Sequence, residues 1–267
     1  MFRIFRKGRK EGLNGRKTRK YLAYALGELV LVVVGILIAL QINNAELDRQ
    51  DRAREKQFMV SMLTDLRSDI GEIDSAVAAN SELMDGMNEL LHKIAALPRE
   101  AEAQRDLLVW SIKYTYWYTE AEFSLGALSQ LKYSGGFQLI RDEAVKKAIL
   151  RYERGLEKCD NVKSEIKGYF HVMEASQKQL LNLSLGKRAY ELIEQDFMNM
   201  LLPIERFEGL VDQGQYLIDT HPNSLNNYYG DVLFYRTTMN NMNLTFGHQK
   251  EMAQELIALI RTRYGID

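Results

Sequence analysis

The side chain with the clearest chemical potential is Glu28, a carboxylate within the apolar run YLAYALGELVLVVVGILIALQINN, residues 21–44. An ionised acid that faces lipid is costly, so in a membrane we expect Glu28 to be protonated, paired or in contact with water. Two interpretations follow. Glu28 either hydrogen bonds a neighbouring group and helps to hold an oligomer together, or it titrates as the proton or cation site of a pore or stator-type subunit. The first is favoured, because an intramembrane acid is not specific to transport.

Elsewhere the sequence has no pattern typical of catalysis or of metal binding. The P-loop, G-x-G-x-x-G, G-x-S-x-G and H-E-x-x-H motifs do not occur. The four histidines are scattered, and a solvated helix face explains the pair His171 and Glu174. Cys159 is the only cysteine, which excludes an intrachain disulfide, and its position on an apolar seam predicts a core residue. We therefore expect no enzyme activity, no metal and no cofactor.

The element that must position Glu28 is a membrane helix. Residues 21–42 are 22 consecutive, mostly apolar residues, about 33 Å as a helix, which matches a hydrocarbon core of about 30 Å. At about 100° per residue, Glu28 projects within about 20° of Gly35 and Ala39. Both belong to a row of small residues, interrupted by Leu31, that would let a second helix approach closely. The row consists of Ala23, Gly27, Gly35, Ala39 and Asn43.

A strongly basic arm precedes the apolar run. Residues 1–20 contain nine Lys or Arg and one Glu, a charge of +8, so the total of −1 leaves −9 on residues 21–267. Lys and Arg stay on the cytoplasmic side of a membrane helix and attract anionic lipid headgroups. The residues expected to do both are Arg16, Lys17, Arg19 and Lys20.

These charges predict the topology. We expect a cytoplasmic arm over residues 1–20, an uncleaved signal anchor over 21–42 and an extracytoplasmic domain over 43–267. A cleaved signal peptide is the alternative, but no A-x-A site follows the run. Nucleic acid is a further candidate partner, since residues 113–118 (KYTYWY) interleave a base with aromatics. The net negative charge beyond the arm argues against it, so we expect membrane lipid and no nucleic acid.

The rest of the chain is periodic in the manner of long α-helices. A first seam, broken by the polar Asn80, contains Met59, Leu63, Leu66, Ile70, Ile73, Val77, Asn80, Met84, Met87, Leu91 and Ile94. A second contains Val145, Ile149, Tyr152, Leu156, Cys159, Val162, Ile166, Tyr169, Met173, Ser176, Leu180 and Leu183. A third contains Met239, Met242, Phe246, Gln249, Ala253, Leu256 and Ile260. The pattern predicts an all-α fold, in which one transmembrane helix leads into an elongated extracytoplasmic bundle of long, heptad-like helices.

Local signals predict where these helices begin and end. Pro98 should end the first helix. No residue between the membrane run and Leu97 obliges this helix to stop, because its internal glycines weaken it without ending it. Asp142 should cap the second and Gly186 should stop it. Residues 187–220 suggest two shorter helices, and after a turn at 221–223 the last helix should run to Tyr264.

An aromatic cluster lies between the first two seams, within residues 99–136. One or two short helices that end at residues 134–136 are predicted here. The aromatics are expected to cap the bundle rather than to form an interface. A short strand over residues 114–119 is the alternative, but it lacks an obvious partner strand.

The seams pair either within the chain or between chains. Helices of similar length that can fold back on one another favour pairing within the chain. The alternative is a parallel oligomer through residues 46–94, in which Asn80 would set the register.

The membrane segment resembles an uncharacterised family of single-pass membrane proteins common in Bacteroidetes-type bacteria. The family pattern is GE-x-x-LVVxGILIALQINN, usually followed by Trp-Asn-Glu, whereas here Ala45 stands in place of the Trp and Glu46 follows directly. The segment from Phe123 through Leu128 and Leu131 to residues 134–136 is similar to the family's F-x-x-L-x-x-SG region. The resemblance implies a membrane anchor with a helical extracytoplasmic domain, which places the anchor in a bacterial inner membrane and the domain in the periplasm. It implies no established activity.

Together these features predict a non-enzymatic scaffold, sensor or interaction module that forms a homo-oligomer through its membrane helix. Docking on an unidentified membrane-protein partner and ion conduction through Glu28 remain the alternatives.

Overall fold

The structure is a computed structural model that describes residues 15–266, including all side chains in this range except those of residues 15–18, 20, 197 and 198. The predicted basic arm therefore lies largely outside the described residues. The α-helices of the described range are α1 (Gly15–Ala95), α2 (Ala101–Thr115), α3 (Gly126–Tyr133), α4 (Glu143–Leu180), α5 (Lys187–Gln195), α6 (Glu205–Glu208) and α7 (Pro222–Tyr264). Short 3-10 helices span Gly136–Gln138, Leu183–Gly186 and Phe197–Leu201.

The all-α prediction is confirmed. Between residues 15 and 266 no strand forms, and a single isolated β-bridge joins Leu181 to Leu217. The chain divides into two compact units, residues 1–56 and 57–267. The described part of the first unit consists of α1 alone, and α1 also supplies the first helix of the second unit.

The first seam is buried within the second unit. Met59, Leu66 and Met87 have no exposed surface, and Asn80, the polar residue of the seam, is also fully buried. Asn80 hydrogen bonds residues of the same chain, so it is not free to set the register of an oligomer through this seam. The seam packs against α2, α4 and α7, which is the intrachain pairing that the sequence favours.

The long helices of the second unit run side by side. One apolar cluster joins the start of α1 in this unit to the N-terminal half of α4 and the C-terminal end of α7. The other joins the later turns of α1 to the C-terminal half of α4 and the N-terminal half of α7. Helix α4 is therefore parallel to α1 and antiparallel to α7, and the third seam lies entirely inside.

Three local predictions need correction. Asp142 caps α4 as expected, with its side chain accepting from two backbone N–H groups, but α4 ends at Leu180 and not near Gly186. Leu181 instead pairs with Leu217 in the bridge, and Gly186 is buried in a 3-10 turn. Two positions of the seam along α4 are shifted by one residue. Phe170 faces the core in place of Tyr169, which is 36 % exposed, and Gln177 is buried in place of Ser176, whereas Met173 and Leu180 are buried as predicted.

The ends of the other long helices follow ordinary capping chemistry. Helix α1 ends at Ala95, just before Leu97, whose φ of 50° breaks the helix ahead of Pro98. Helix α7 begins at Pro222 rather than after it, since proline suits the first helical position and the His221 side chain accepts from Asn223 N–H. Residues 187–208 form the two predicted short helices, α5 and α6.

Candidate functional site

The apolar part of α1 is the first candidate site. All side chains from residue 21 to residue 47 are exposed. Within the described residues, α1 is the one helix long and apolar enough to cross a membrane. The chain is therefore compatible with a single-pass membrane protein.

The predicted small-residue row lies on this exposed helix. Ideal Cβ atoms built on Gly27 and Gly35 meet no atom within 4 Å. Glu28 and the remaining row residues Ala23, Ala39 and Asn43 are likewise exposed. Nothing among the described residues covers this face, so it is open to lipid or to another helix. Of the headgroup candidates, Arg19 is exposed, and the side chains of Arg16, Lys17 and Lys20 lie outside the described residues.

The second candidate site is built on a non-helical segment, residues 116–125, that joins α2 to α3 and is here named the strap. Side chains from the long helices hold its backbone in place. Asn80 of α1 forms two bonds with Thr119, because its Oδ1 accepts from Thr119 N–H and its Nδ2 donates to Thr119 O, each at 2.8 Å. Tyr235 Oη of α7 donates to Trp117 O at 2.8 Å, and Lys163 Nζ of α4 donates to Ala121 O at 2.6 Å.

Two carboxylates of α1 hold the far end of the strap. Asp69 Oδ1 accepts from Ser124 N–H at 2.6 Å, and its other oxygen accepts from the hydroxyl of Tyr152 on α4. One turn earlier, Asp65 Oδ2 accepts from Ala127 N–H at 2.7 Å, in the first turn of α3. Burial raises the pKa of Asp69, an effect that the hydrogen bonds from Ser124 and Tyr152 oppose. Burial, with the nearby Asp69, also raises the pKa of Tyr152.

These contacts explain why the strap is not a strand, as the alternative over residues 114–119 required. A strand satisfies its backbone groups with a neighbouring strand. Here side chains from three helices take that role, so the strap keeps an irregular course at a fixed position.

A groove of about 650 Å³ lies between the strap and one face of α4. Its aromatic lining consists of Tyr116, Trp117, Tyr118 and Phe170, and its polar lining of Thr119, Glu120, Glu122, Lys167, His171 and Glu174. Trp117 and Tyr118 stack with ring centroids 6.5 Å apart. Tyr118 and Phe170 lie 5.9 Å apart at a tilt of 60°. The groove thus combines a continuous aromatic wall with charged groups at its edge.

Acidic groups dominate that edge. Glu174 is engaged, since Lys178 Nζ donates to it at 2.7 Å and thereby lowers the pKa of its carboxyl. Among the described residues, Glu120 and Glu122 have no ion-pair partner, and Lys167 is the one lysine of the lining. Burial, followed by the charge of Glu120, raises the pKa of Tyr118.

Most of the aromatic residues predicted as a cap are partly buried against the core, and Trp117 is the most exposed of them. Trp110, Tyr114, Tyr116, Tyr118 and Phe123 are partly buried against the main apolar cluster. Trp117 is 39 % exposed.

Residues of the remaining predicted sites are dispersed. Lys113, the base of the KYTYWY segment, is 1 % exposed, and its Nζ donates to Met200 O at 2.8 Å inside the protein, where burial lowers its pKa. It is therefore not presented to a phosphate. Cys159 is a buried core residue, as expected. In the described part of the chain no group of three His, Cys, Asp or Glu side chains has the geometry of a metal site.

Sequence reasoning missed the strap and the groove. The one available signal was the polar break of the first seam at Asn80, which is typical of a buried hydrogen bond. The acids Asp65 and Asp69 lie beside that seam, and the apolar spacing gives no sign that Asp69 is only 1 % exposed.

The sequence profile of a family of unknown function, DUF6090, matches residues 28–205, which are 178 of the 267 residues. The chain belongs to DUF6090. The predicted likeness to an uncharacterised family is confirmed in this form, and the bacterial group that the resemblance suggested stays a prediction. Among curated proteins and solved structures, no match was found.

The DUF6090 match contains most of both candidate sites. It begins at Glu28, and it includes the small residues Gly35 and Ala39, the whole strap and all residues that line the groove. Tyr235 of α7, which holds the strap at Trp117, lies after the matched range.

Proposed function

We propose that this DUF6090 member is a bitopic protein of a bacterial inner membrane, with residues 1–20 in the cytoplasm and the helical second unit in the periplasm. The second unit acts as a non-enzymatic scaffold, sensor or interaction module, and the membrane helix assembles the protein into a homo-oligomer. One observation supports this most directly. The face of α1 that carries Gly35, Ala39 and Glu28 is exposed and uncovered by the described chain.

The exposed apolar surface explains the need for a membrane. Burial of apolar surface contributes about 25 cal/mol per Å², and every described side chain of residues 21–42 is exposed within the chain. Lipid or a second helix must therefore cover them. Small residues at a helix surface allow two helix backbones to approach, and a carboxyl on the same face gives a hydrogen-bonding group to the contact.

Cysteine cross-linking in native membranes tests the assembly. In a Cys159→Ala background, Ala39→Cys lies on the proposed contact face, within about 20° of Glu28, and Leu37→Cys lies on the opposite face, about 180° away. We expect mild oxidation to give a covalent dimer with Ala39→Cys and little dimer with Leu37→Cys. Equal yields from the two positions, or a strictly monomeric mass over a wide range of protein concentrations, would contradict the proposed interface.

Protease protection tests the orientation. Protease added to spheroplasts should digest the second unit and leave an N-terminal epitope intact. The reverse pattern would overturn the proposed topology while leaving the cross-linking result interpretable.

The second candidate function is conduction of protons or cations, with Glu28 as the titrating group. It is favoured by the position of this carboxyl on the small-residue face of an exposed apolar helix. Reconstituted vesicles with an internal pH dye should then show a flux that Glu28→Gln abolishes and that Glu46→Gln, a control beyond the apolar run, preserves. Without a flux that depends on Glu28, the self-contained pore version fails, and co-purification would reveal an obligate partner.

A further inference from the structure

We propose that the groove between the strap and α4 binds a small organic ammonium ion. The aromatic wall of Trp117, Tyr118 and Phe170 receives the cation, and Glu120 and Glu122 supply the opposite charge. Such a ligand would be the molecule detected in the sensor role proposed above, but its binding does not depend on the membrane topology.

The aromatic wall has the composition of a cation site. Cations are attracted to the faces of Trp, Tyr and Phe, with Trp the strongest, and quaternary ammonium ligands are recognised in this way. The wall is continuous, since Trp117 stacks on Tyr118 and Tyr118 contacts Phe170. Trp117 is 39 % exposed, so its ring is accessible from solvent.

The charges around the groove select a cation over an anion. Lys178 neutralises Glu174 across 2.7 Å, which leaves Glu120 and Glu122 against Lys167. Lys163 is not part of the lining, and its charge is engaged outside it, because its Nζ donates to Ala121 O and lies 5.0 Å from the centre of the Phe123 ring. The lining thus holds three glutamates and one lysine, and these four side chains together are net negative.

The groove is formed before a ligand arrives. Three side chains hold the backbone of the strap at alternate residues. Tyr235 bonds residue 117, Asn80 bonds residue 119 and Lys163 bonds residue 121. A site whose walls are already ordered loses less conformational freedom on binding. The volume of about 650 Å³ falls within the range of small-molecule sites, so an ammonium headgroup with an attached body fits.

Choline and its neutral isostere 3,3-dimethylbutan-1-ol form a matched pair of probes, because they share a shape and differ in charge. The full chain is purified in a maltoside detergent, which contains no ammonium group, and Trp110→Phe leaves Trp117 as the reporter of fluorescence. We expect saturable choline binding at millimolar concentration and at least about tenfold weaker binding of the alcohol. Butylammonium shows whether primary amines share the site. Equal binding of choline and the alcohol, or no saturation by either ammonium ion up to about 100 mM, would overturn the proposal.

Two variants locate the binding. Trp117→Leu keeps an apolar side chain at an exposed position and should weaken choline binding about fivefold, measured by calorimetry. Glu120→Gln with Glu122→Gln should weaken it about threefold at low salt, and the difference should vanish near 1 M salt. Glu89→Gln, an exposed acid elsewhere on α1, is the matched control. If both groove variants bind choline as tightly as the wild type, choline binds elsewhere and the assignment is refuted. If the wild type binds no choline, this proposal fails, but the cross-linking test of the membrane helix is unaffected.

Discussion

Replacement of Asn80 by leucine separates two views of the first seam. A simple heptad pattern treats Asn80 as the one defect, so leucine should stabilise the helix pairing. The structure predicts the opposite result. Asn80 is fully buried, and it bonds both backbone groups of Thr119 as well as Asn243 Oδ1, which is 3.1 Å from its Nδ2.

The expected loss follows from the groups left without a partner. In Asn80→Leu the N–H and C=O of Thr119 and the Oδ1 of Asn243 lose a hydrogen bond, at about 1–3 kcal/mol for each buried group. Thr119 is only half-buried, so its two groups belong at the low end of that range. Burial of a leucine side chain offsets at most about 1.5–3 kcal/mol, and a branched side chain does not fit beside a backbone that approaches to hydrogen-bonding distance. We expect a net loss of about 2 kcal/mol.

Urea unfolding of the full chain in detergent, followed by far-UV circular dichroism, measures this loss. Met84→Leu, at another position of the same seam and of similar volume, is the control and should change the free energy of unfolding by less than about 1.5 kcal/mol. In a Trp110→Phe background, the fluorescence of Trp117 should change in Asn80→Leu and not in the control, because the strap is released. If Asn80→Leu were as stable as the wild type or more so, the bonds to Thr119 would not hold the strap and the reasoning would be refuted.

Three further changes probe other parts of the second unit. Burial holds the pKa of Asp69 above its usual 3.8, so the folded state binds this proton more tightly than the unfolded chain does. The stabilisation from this group is therefore present at low pH and is lost as the pH rises through the folded-state pKa. Asp69→Asn should remove this decline in the free energy of unfolding, measured by urea titrations from about pH 4 upward. Gly86→Ala should destabilise by about 1–3 kcal/mol, because its Cβ would lie 2.0 Å from the Tyr114 ring, whereas Gly71→Ala, with nothing within 4 Å, should stabilise by about 0.5–1 kcal/mol; the two melting temperatures should move in opposite directions. Burial raises the pKa of the Cys159 thiol to about 12, so iodoacetamide should label it in urea and not in the native protein.

Each of these predictions has a result that would contradict it. A decline in stability with pH that persists in Asp69→Asn would place the titration on another group. A stabilising Gly86→Ala would mean that the Tyr114 ring moves aside at no cost, and rapid labelling of native Cys159 would mean that α4 opens locally. All three are measured on the full chain.

The helices could be predicted because their signals are local. Apolar residues at spacings of three and four identify one face of a helix, whatever that face later contacts. Every residue of the third seam is buried as expected, and Asp142 caps α4 through a bond that it makes within its own turn. Gly186 failed as a stop signal because a tertiary contact, the Leu181–Leu217 bridge, ends α4 first.

The strap could not be predicted, since its partners are distant in sequence. Thr119 is held by Asn80, 39 residues earlier, and Trp117 by Tyr235, 118 residues later. No local pattern identifies such pairs, and a seam analysis assigns Asn80 a role between chains that it does not have. The groove depends on the same contacts. The sequence therefore shows that its aromatic residues form a cluster, but not that they line one side of a groove.

The polar residues that hold the strap argue for a role of the groove beyond packing. A buried polar group contributes little net stability compared with a well-packed apolar side chain, but it fixes its partner at one position. A cap that only covered the bundle would also need partners for its backbone groups, but it would not need to leave an indole ring partly in solvent. Here Asn80, Asp69, Lys163 and Tyr235 fix a segment that keeps Trp117 partly in solvent. Precise placement of an exposed aromatic ring has no benefit for the core, and it does benefit the recognition of a ligand.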